Sequence, residues 1–409
     1  EVPVILHDFN PDIILVDVDG DGDNDLIALS GGYANEDEND YQHSLYENKN
    51  GSFVRTSLPL PAFCASIVRP FDFDHDGDKD LFVGGRVKRG SFPFSSNSYL
   101  LINDHGKFSE KQIMSFDLGM VTDAVWSDFN KDGWEDILIA REWNTIAILE
   151  NNKGQKFNQL SNDQTGGKSG FWYSIRAGDF DNDGDDDYVV GNLGENNRFT
   201  VSNEYPMSLY AIDVDKNGAI DPITTSYWKD ENGVMQEYPV NYLDEMVAQS
   251  PYFRRKFTSY TKFSHMIVDS IVNRSAIPDS NKYHVNVTSS FIVWNDKGKL
   301  DWQRLPSAAQ TSPIKKILVQ DLNGDKIPDM LLAGNDHSYD VSTGYYDANK
   351  GIILIGKGNK KFEVLPASKS GLLLQGQVES LLFLDGNTPL LIAGVNRGNI
   401  SVYKKIQKK

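Results

Sequence analysis

The stretch Asp179-Phe-Asp181-Asn-Asp183-Gly-Asp185-Asp-Asp187-Tyr-Val-Val-Gly191 decides the fold. Side-chain oxygens at positions 1, 3 and 5, a glycine at 6, the carbonyl of position 7 and a closing carboxylate at 9 are the hard donors that a cation of calcium's size requires. A short apolar run follows at once, so the loop reads as the bend between two strands. The same spacing, D-x-[DN]-x-[DN]-x-x-x-D, recurs five more times. The other ligand sets are Asp17, Asp19, Asp21, Asp23 and Asp25; Asp72, Asp74, Asp76, Asp78 and Asp80; Asp128, Asn130, Asp132, Trp134 and Asp136; Asp213, Asp215, Asn217, Ala219 and Asp221; and Asp321, Asn323, Asp325, Ile327 and Asp329.

An EF-hand would carry a bidentate Glu at position 12 on the first turn of a helix. Here position 12 is Ala28, Val83, Ile139, Val190, Thr224 or Leu332, so the closing ligand arrives early and a strand follows. A chain with 58 acidic residues throws up Asp clusters by accident, but six copies in one register, each between strands, exceed accident. The sequence therefore predicts up to six structural Ca2+ sites. The sixth loop has Lys326 where the others have glycine, and a side chain in the left-handed conformation costs on the order of 1 kcal/mol. It is expected to be the weakest site.

A seventh strand-turn-strand unit at Glu379 to Val395 keeps its strands but lacks the metal loop. Outer hairpins such as Ser44 to Phe53, Ser98 to Phe108, Ile146 to Phe157, Phe291 to Leu300 and Gly351 to Phe362 alternate with the inner ones around Asn/Asp-Gly turns. Four-stranded units at a period of roughly 40 to 60 residues are blades. The expected fold is all-β, a single seven-bladed β-propeller domain over 1–409. Val2 to Leu6 would supply the missing strand of the last blade, removing an open edge. Only 34 positions separate Asp179 from Asp213, so the fourth blade is expected to be incomplete. From 228 to 289 the apolar spacing turns helical, and a helical insertion in blade five is predicted there.

The loops with their flanks, Ala124-Val-Trp-Ser-Asp-Phe-Asn-Lys-Asp-Gly-Trp-Glu-Asp-Ile-Leu138 among them, resemble FG-GAP/VCBS repeat proteins of the integrin α-subunit type. The stretch from blade two through the insertion is similar to a subgroup frequent in surface and secreted proteins of Bacteroidetes-type bacteria. The resemblance implies a β-propeller with calcium between the first two strands of each blade. It says less about activity, because the family includes adhesins, lectins, lyases and accessory subunits of outer-membrane complexes.

The formal charge is −18; six divalent ions add 12 and bring it to −6, so much of the acidity is metal ligand. No basic face points to nucleic acid. Cys64 is the only cysteine, which excludes a disulfide framework and zinc spacing. No stretch reaches the roughly 18 apolar residues of a membrane-spanning helix. Extracellular calcium modules bind with Kd of about 10⁻⁴ to 10⁻³ M, which only a calcium-rich compartment fills. The protein is expected outside the cytoplasm, secreted or at a bacterial surface, with any export or anchoring segment removed.

Connections from the second to the third strand of each blade are long and share one face. Arg86, Arg89, Trp143, Asn192, Asn335, His337, Tyr345, Tyr346 and Arg397 lie in them as candidate ligand-binding residues. Aromatic, amide and guanidinium groups suit a protein or glycan partner. No G-x-S-x-G, H-E-x-x-H or phosphate-cradling loop is present. The expectation is a non-enzymatic, calcium-stabilised binding or scaffold protein, engaging a glycan, a peptide or an envelope protein. The alternative is a polysaccharide lyase or hydrolase using the same face, with a base such as His337 or Tyr345.

Overall fold

The computed structural model describes residues 11–32, 41–338, 344–386 and 388–405. The expected closing strand at Val2 to Leu6 lies outside them. The described chain is all-β, and its strands pair almost entirely with sequence neighbours in antiparallel sheets. The first sheet is Ile13–Val16, Asp25–Ala28, Ser44–Lys49 and Ser52–Ser57. The second is Ala65–Phe71, Asp80–Gly85, Ser98–Asp104 and Lys107–Phe116. The third joins Met120–Ser127, Asp136–Asn144, Ala147–Asn151 and Phe157–Gln159, with Gly170–Phe171 as a fifth strand. The fifth sheet is Ile314–Gln320, Asp329–Gly334, Ile352–Gly356 and Phe362–Leu365. The sixth is Val378–Leu384, Leu390–Val395 and Ser401–Lys404, three strands around the shortened turn. Each is the up-and-down meander of a propeller blade.

The fourth sheet corrects two expectations. Its inner hairpin, Ser174–Gly178 and Asp187–Gly191, pairs with Phe291–Asp296 and Lys299–Arg304, so Tyr188 faces Val293 and Val190 faces Phe291. The fourth blade is complete. Its outer half is the hairpin that sequence order had suggested for blade five. Everything between, including the fifth acidic loop, forms a separate sheet ordered Met235–Pro239, Asp221–Lys229, Met207–Ile212, Lys282–Val285. The helical segment is therefore part of a larger insertion within the second-to-third connection of sheet four, not an elaboration of a fifth blade. It carries α1 (Leu243–Gln249), α2 (Pro251–Lys256) and α3 (Tyr260–Ser264), which bury Leu243, Met246, Phe253 and Phe257 against Tyr210 and Ile223 of the inserted sheet. The 34-residue spacing had its physical cause here: the chain leaves the blade after two strands and returns about a hundred residues later.

Contacts group the chain into two compact units, one of residues 1–121, 168–170 and 198–287, the other of 122–167, 171–197 and 288–409. In the first, Val18, Ile27, Leu45, Val68, Leu81 and Val83 form one core between sheets one and two. In the second, Phe180, Val189, Trp294, Ile314, Met330 and Leu354 fill the space between sheets four and five. Leu331, Ala333, Leu374, Val378 and Ala393 do the same between five and six.

The second strands Asp80–Gly85, Asp187–Gly191 and Asp329–Gly334 are buried along their whole length, whereas outer strands such as Lys299–Arg304 alternate with solvent. A strand covered on both faces reads as an unbroken apolar run, which is why the runs after each acidic loop do not alternate. Such strands also come very close to their neighbours. A Cβ on Gly334 would lie 2.1 Å from the Pro313 carbonyl oxygen.

Candidate metal centres

Each acidic loop is held open by its own carboxylates. Position 1 accepts from two loop N–H groups: Asp72 from Asp76 and Gly77 at 3.1 Å each, Asp179 from Asp183 and Gly184 at 3.1 Å each, Asp213 from Asn217 at 3.0 Å and Gly218 at 2.8 Å. Position 5 accepts from the N–H of position 7, as Asp76 does from Asp78 at 2.9 Å. This turns the side chains inward and the position-7 carbonyl with them.

Two residues in every loop are left-handed. Position 6 is so in Gly22, Gly77, Gly133, Gly184, Gly218 and Lys326, the last at φ 69°. Position 4 is equally so in Gly20, His75, Lys131, Asn182, Lys216 and Gly324. Sequence reasoning singles out the glycine at 6 and misses position 4, because four residue types share that place. Loop six exchanges the pattern, with glycine at 4 and lysine at 6.

The closing carboxylate is a clamp between strands. Its Oδ2 accepts from the N–H of position 2, from Val18 to Asp25, from Phe73 to Asp80 and from Phe180 to Asp187, at 2.6 to 3.2 Å. Its Oδ1 accepts from the third strand, through the N–H of Asn48, Asn103, Asn151, Asn295 or Gly356, at 2.7 to 3.0 Å. Those asparagines sit in a shared N-x-x-G turn, whose glycine N–H donates back to the asparagine Oδ1. Asn103 also donates to the Val18 carbonyl in the acidic loop of sheet one, and Asn295 to that of Phe129 in sheet three. The recurrent N-x-x-G was the signal in the sequence that 291–296 belongs with Asp187.

In loops one, two, four and five the carboxylates of positions 1, 3 and 9 bring oxygens within 4.8 Å of one another. Loops three and six have Asn130 and Asn323 at position 3, which leave an amide oxygen between two carboxylates. Oδ1 of Asp74, Asp181 and Asp215, position 3 in three loops, is buried with no hydrogen-bond partner. A buried carboxylate oxygen without a donor is costly unless a cation meets it. Without a cation, burial pushes Asp80, Asp136 and Asp187 up to about 7, against the pull of the backbone donors. Burial also raises Asp74 and Asp181. These residues fit a hard divalent cation.

Loop five differs in its surroundings. Asp221 accepts from Val214, and among the described residues no third-strand donor reaches it as in the blades. Instead the Ser250 hydroxyl, fully buried between α1 and α2, donates to Asp215 Oδ2 at 2.6 Å. Ser250 Oγ in turn accepts from the Tyr252 N–H as the N-cap of α2.

The nine candidate ligand-binding residues separate into two groups. Asn192 and Asn335 are wholly buried and stitch loops: Asn192 receives the Phe171 N–H, and Asn335 bonds Ser312, Asn349 and Gly376. Trp143 is buried edge-on against Phe171, and Tyr346 bridges to Asp336 under its own connection. These four face the interior of their loops and are withdrawn as ligand contacts. Tyr345 is 68% exposed, with the half-buried His337 ring 4.7 Å from it, and Arg397 is exposed. Arg86 and Arg89 are half-buried in the connection 86–97.

Strand, acidic turn and strand, repeated and clamped in this way, define an all-β repeat protein built of propeller-type blades. The chain carries FG-GAP-like repeats: the FG-GAP-like repeat matches 17–83 and 128–190, which are loops one to two and three to four with the strands between and after them. Among solved structures it is similar to that of BBS1N in complex with ARL6DN, soaked with lead, at 11% identity over 97% of this chain and 92% of that one, with a TM-score of 0.37. It is also similar to the V. cholerae biofilm matrix protein Bap1, at 12% identity over 95% and 85%, with a TM-score of 0.31. No curated protein sequence matches it. Among the described residues no helix is long and apolar enough to cross a membrane.

Proposed function

We propose that the protein is a non-enzymatic binding or scaffold protein working outside the cytoplasm, stiffened by Ca2+ at its acidic turns and engaging a protein or glycan partner through the second-to-third strand connections. One observation carries the reading. Among the described residues the large aromatics exposed to solvent are Phe92, Tyr242, Tyr260 and Tyr345. All four fall in second-to-third connections: Phe92 in that of sheet two, Tyr345 in that of sheet five, and the two others in the insertion that is the same connection of sheet four. Exposed aromatic rings gathered on one class of loop are the usual anchors of recognition. The acidic turns lie at the other end of the strands. There the carboxylates of positions 1, 3, 5 and 9 and the carbonyl of position 7 would hold Ca2+, whose charge offsets the bunched aspartates and fixes the hairpin bend.

The test is retention on immobilised cell-surface extract and polysaccharides, in calcium, for the protein and for Phe92→Ala and Tyr345→Ala. Loss of retention in either variant, or in Tyr260→Ala, with unchanged thermal stability supports the reading, and equal retention by all three variants refutes it. Release of new unsaturated or reducing ends from the polysaccharides would overturn its non-enzymatic part.

A further inference from the structure

The insertion carries a cleft of about 740 Å³ that is separate from the acidic turns. Its floor follows from strand register. Trp228 pairs with Gln236 and Ser226 with Tyr238, so Trp228, Gln236 and Tyr238 share one face of the Asp221–Lys229 and Met235–Pro239 hairpin. Tyr227 and Glu237, the next pair, share the other face. There the buried Glu237 carboxylate accepts from Tyr210, Thr225, Tyr227 and Arg274, which fixes the hairpin from behind. The wall is Tyr260 of α3 and Tyr242 at the start of α1, exposed by 61% and 49%. Both are held in place. The Tyr260 hydroxyl donates to Asp244 Oδ2 at 2.5 Å, and the Tyr242 N–H to Glu245 Oε2 at 3.0 Å. Trp228 rests against Phe199, with ring centroids 6.3 Å apart.

We propose that this cleft binds a neutral oligosaccharide, with Trp228, Tyr242 and Tyr260 as stacking platforms and Gln236 and Asn241 as hydroxyl partners. A sugar ring has an apolar C–H face and a rim of hydroxyls. Fixed aromatic rings beside planar amides match both at low entropic cost. The charges at the mouth are mixed, Lys229 against Asp230 and Glu231, so an anionic ligand gains nothing there. An extended peptide adding to the edge strand is disfavoured: the strand ends in Pro239, which has no N–H, and Glu237 points into the buried cluster.

The inference rests on the binding reading above and names a ligand class and a place for it. The experiment is calorimetric titration of the calcium-loaded protein with cellotetraose, laminaritetraose, xylotetraose, mannotetraose and chitotetraose at millimolar concentrations. At least one should bind. Trp228→Ala and Tyr260→Ala should weaken it at least tenfold, Tyr260→Phe should retain most of it, and Val54→Ala, on the exposed outer strand of sheet one, should leave it unchanged. If Trp228→Ala unfolds, the Tyr260 pair decides alone. Binding of none of the five, or binding indifferent to Tyr260→Ala, overturns the proposal. Retention on polysaccharide that survives the cleft variants and is lost with Tyr345→Ala overturns it too, while the wider reading stands.

Discussion

Replacing Asp74 by alanine should move stability in opposite directions with and without calcium. Asp74 lies with Asp72 and Asp80 so that their oxygens are within 4.8 Å of one another, and its Oδ1 is buried with no hydrogen-bond partner. Two unit charges at that distance repel by about 1 kcal/mol at the dielectric constant of water and by about 3.5 kcal/mol at an effective value near 20. Burial pushes Asp80 up to about 7, so near neutral pH without metal the steadier repulsion is with Asp72. In EGTA the variant should thus be more stable than the parent by about 1 kcal/mol, the more screened end of that range. In about 10 mM Ca2+ a site with Kd of about 10⁻⁴ to 10⁻³ M stabilises the native state by about 1.4 to 2.7 kcal/mol. The alanine variant forfeits that gain. For a unit of 150–250 residues the calcium-induced rise in Tm should therefore shrink by about 3 to 10 °C. Asp74→Asn should fall between, because an amide oxygen stands at this position in loops three and six. Scanning calorimetry in the two buffers is the assay. A variant whose Tm drops equally in both, or a parent whose Tm ignores calcium, would refute the reasoning.

Burial pushes His43 down to about 4, with its ring tilted on Phe63 at 4.6 Å and Nδ1 accepting from the Ser30 N–H. The unfolded chain takes up the proton below its ordinary value of 6.5 while the folded one resists, so stability falls as pH drops from 6.5 to 4, by up to about 3 kcal/mol. Urea unfolding at pH 7 and pH 4.5 should show that loss in the parent and not in His43→Leu. Asn295→Ala removes the side-chain bonds to the Phe129 and Asp186 carbonyls and from the Gly298 N–H, and should cost about 2 to 4 kcal/mol in chemical denaturation. Asn48→Ala, at a half-buried place, should cost less. Gly334→Ala forces a methyl to 2.1 Å from the Pro313 oxygen and should lower stability by about 1 to 3 kcal/mol, read as a fall in Tm.

The acidic loops show how far short-range chemistry carries. The bonds that loop residues make with one another join residues no more than seven positions apart, such as Asp72 with Gly77 or Phe73 with Asp80, so spacing alone encodes them. The flanking strands are legible for the same reason: hairpin partners lie close in sequence and the apolar runs mark the doubly covered second strands. That determined the all-β class, the hairpins and the metal-type turns.

Pairing across a long excursion was decided only in three dimensions. Asp187 meets Asn295 across 108 positions, and although Asn295 and Gly298 repeat the N-x-x-G turn of the other blades, only packing brings that hairpin, and not the inserted sheet, against Asp187. The candidate ligand residues failed for a related reason. Asn192, Asn335 and Trp143 have the residue types of a binding face, but whether a side chain turns outward or holds its own loop depends on neighbours such as Phe171 and Ser312, brought there by packing. The aromatic cleft of the insertion is likewise tertiary, since the register of one hairpin and the placement of α1 and α3 together make its floor and wall. Local hydrogen bonds and strand periodicity are properties of the sequence, whereas burial and the meeting of distant segments exist only once the chain has packed.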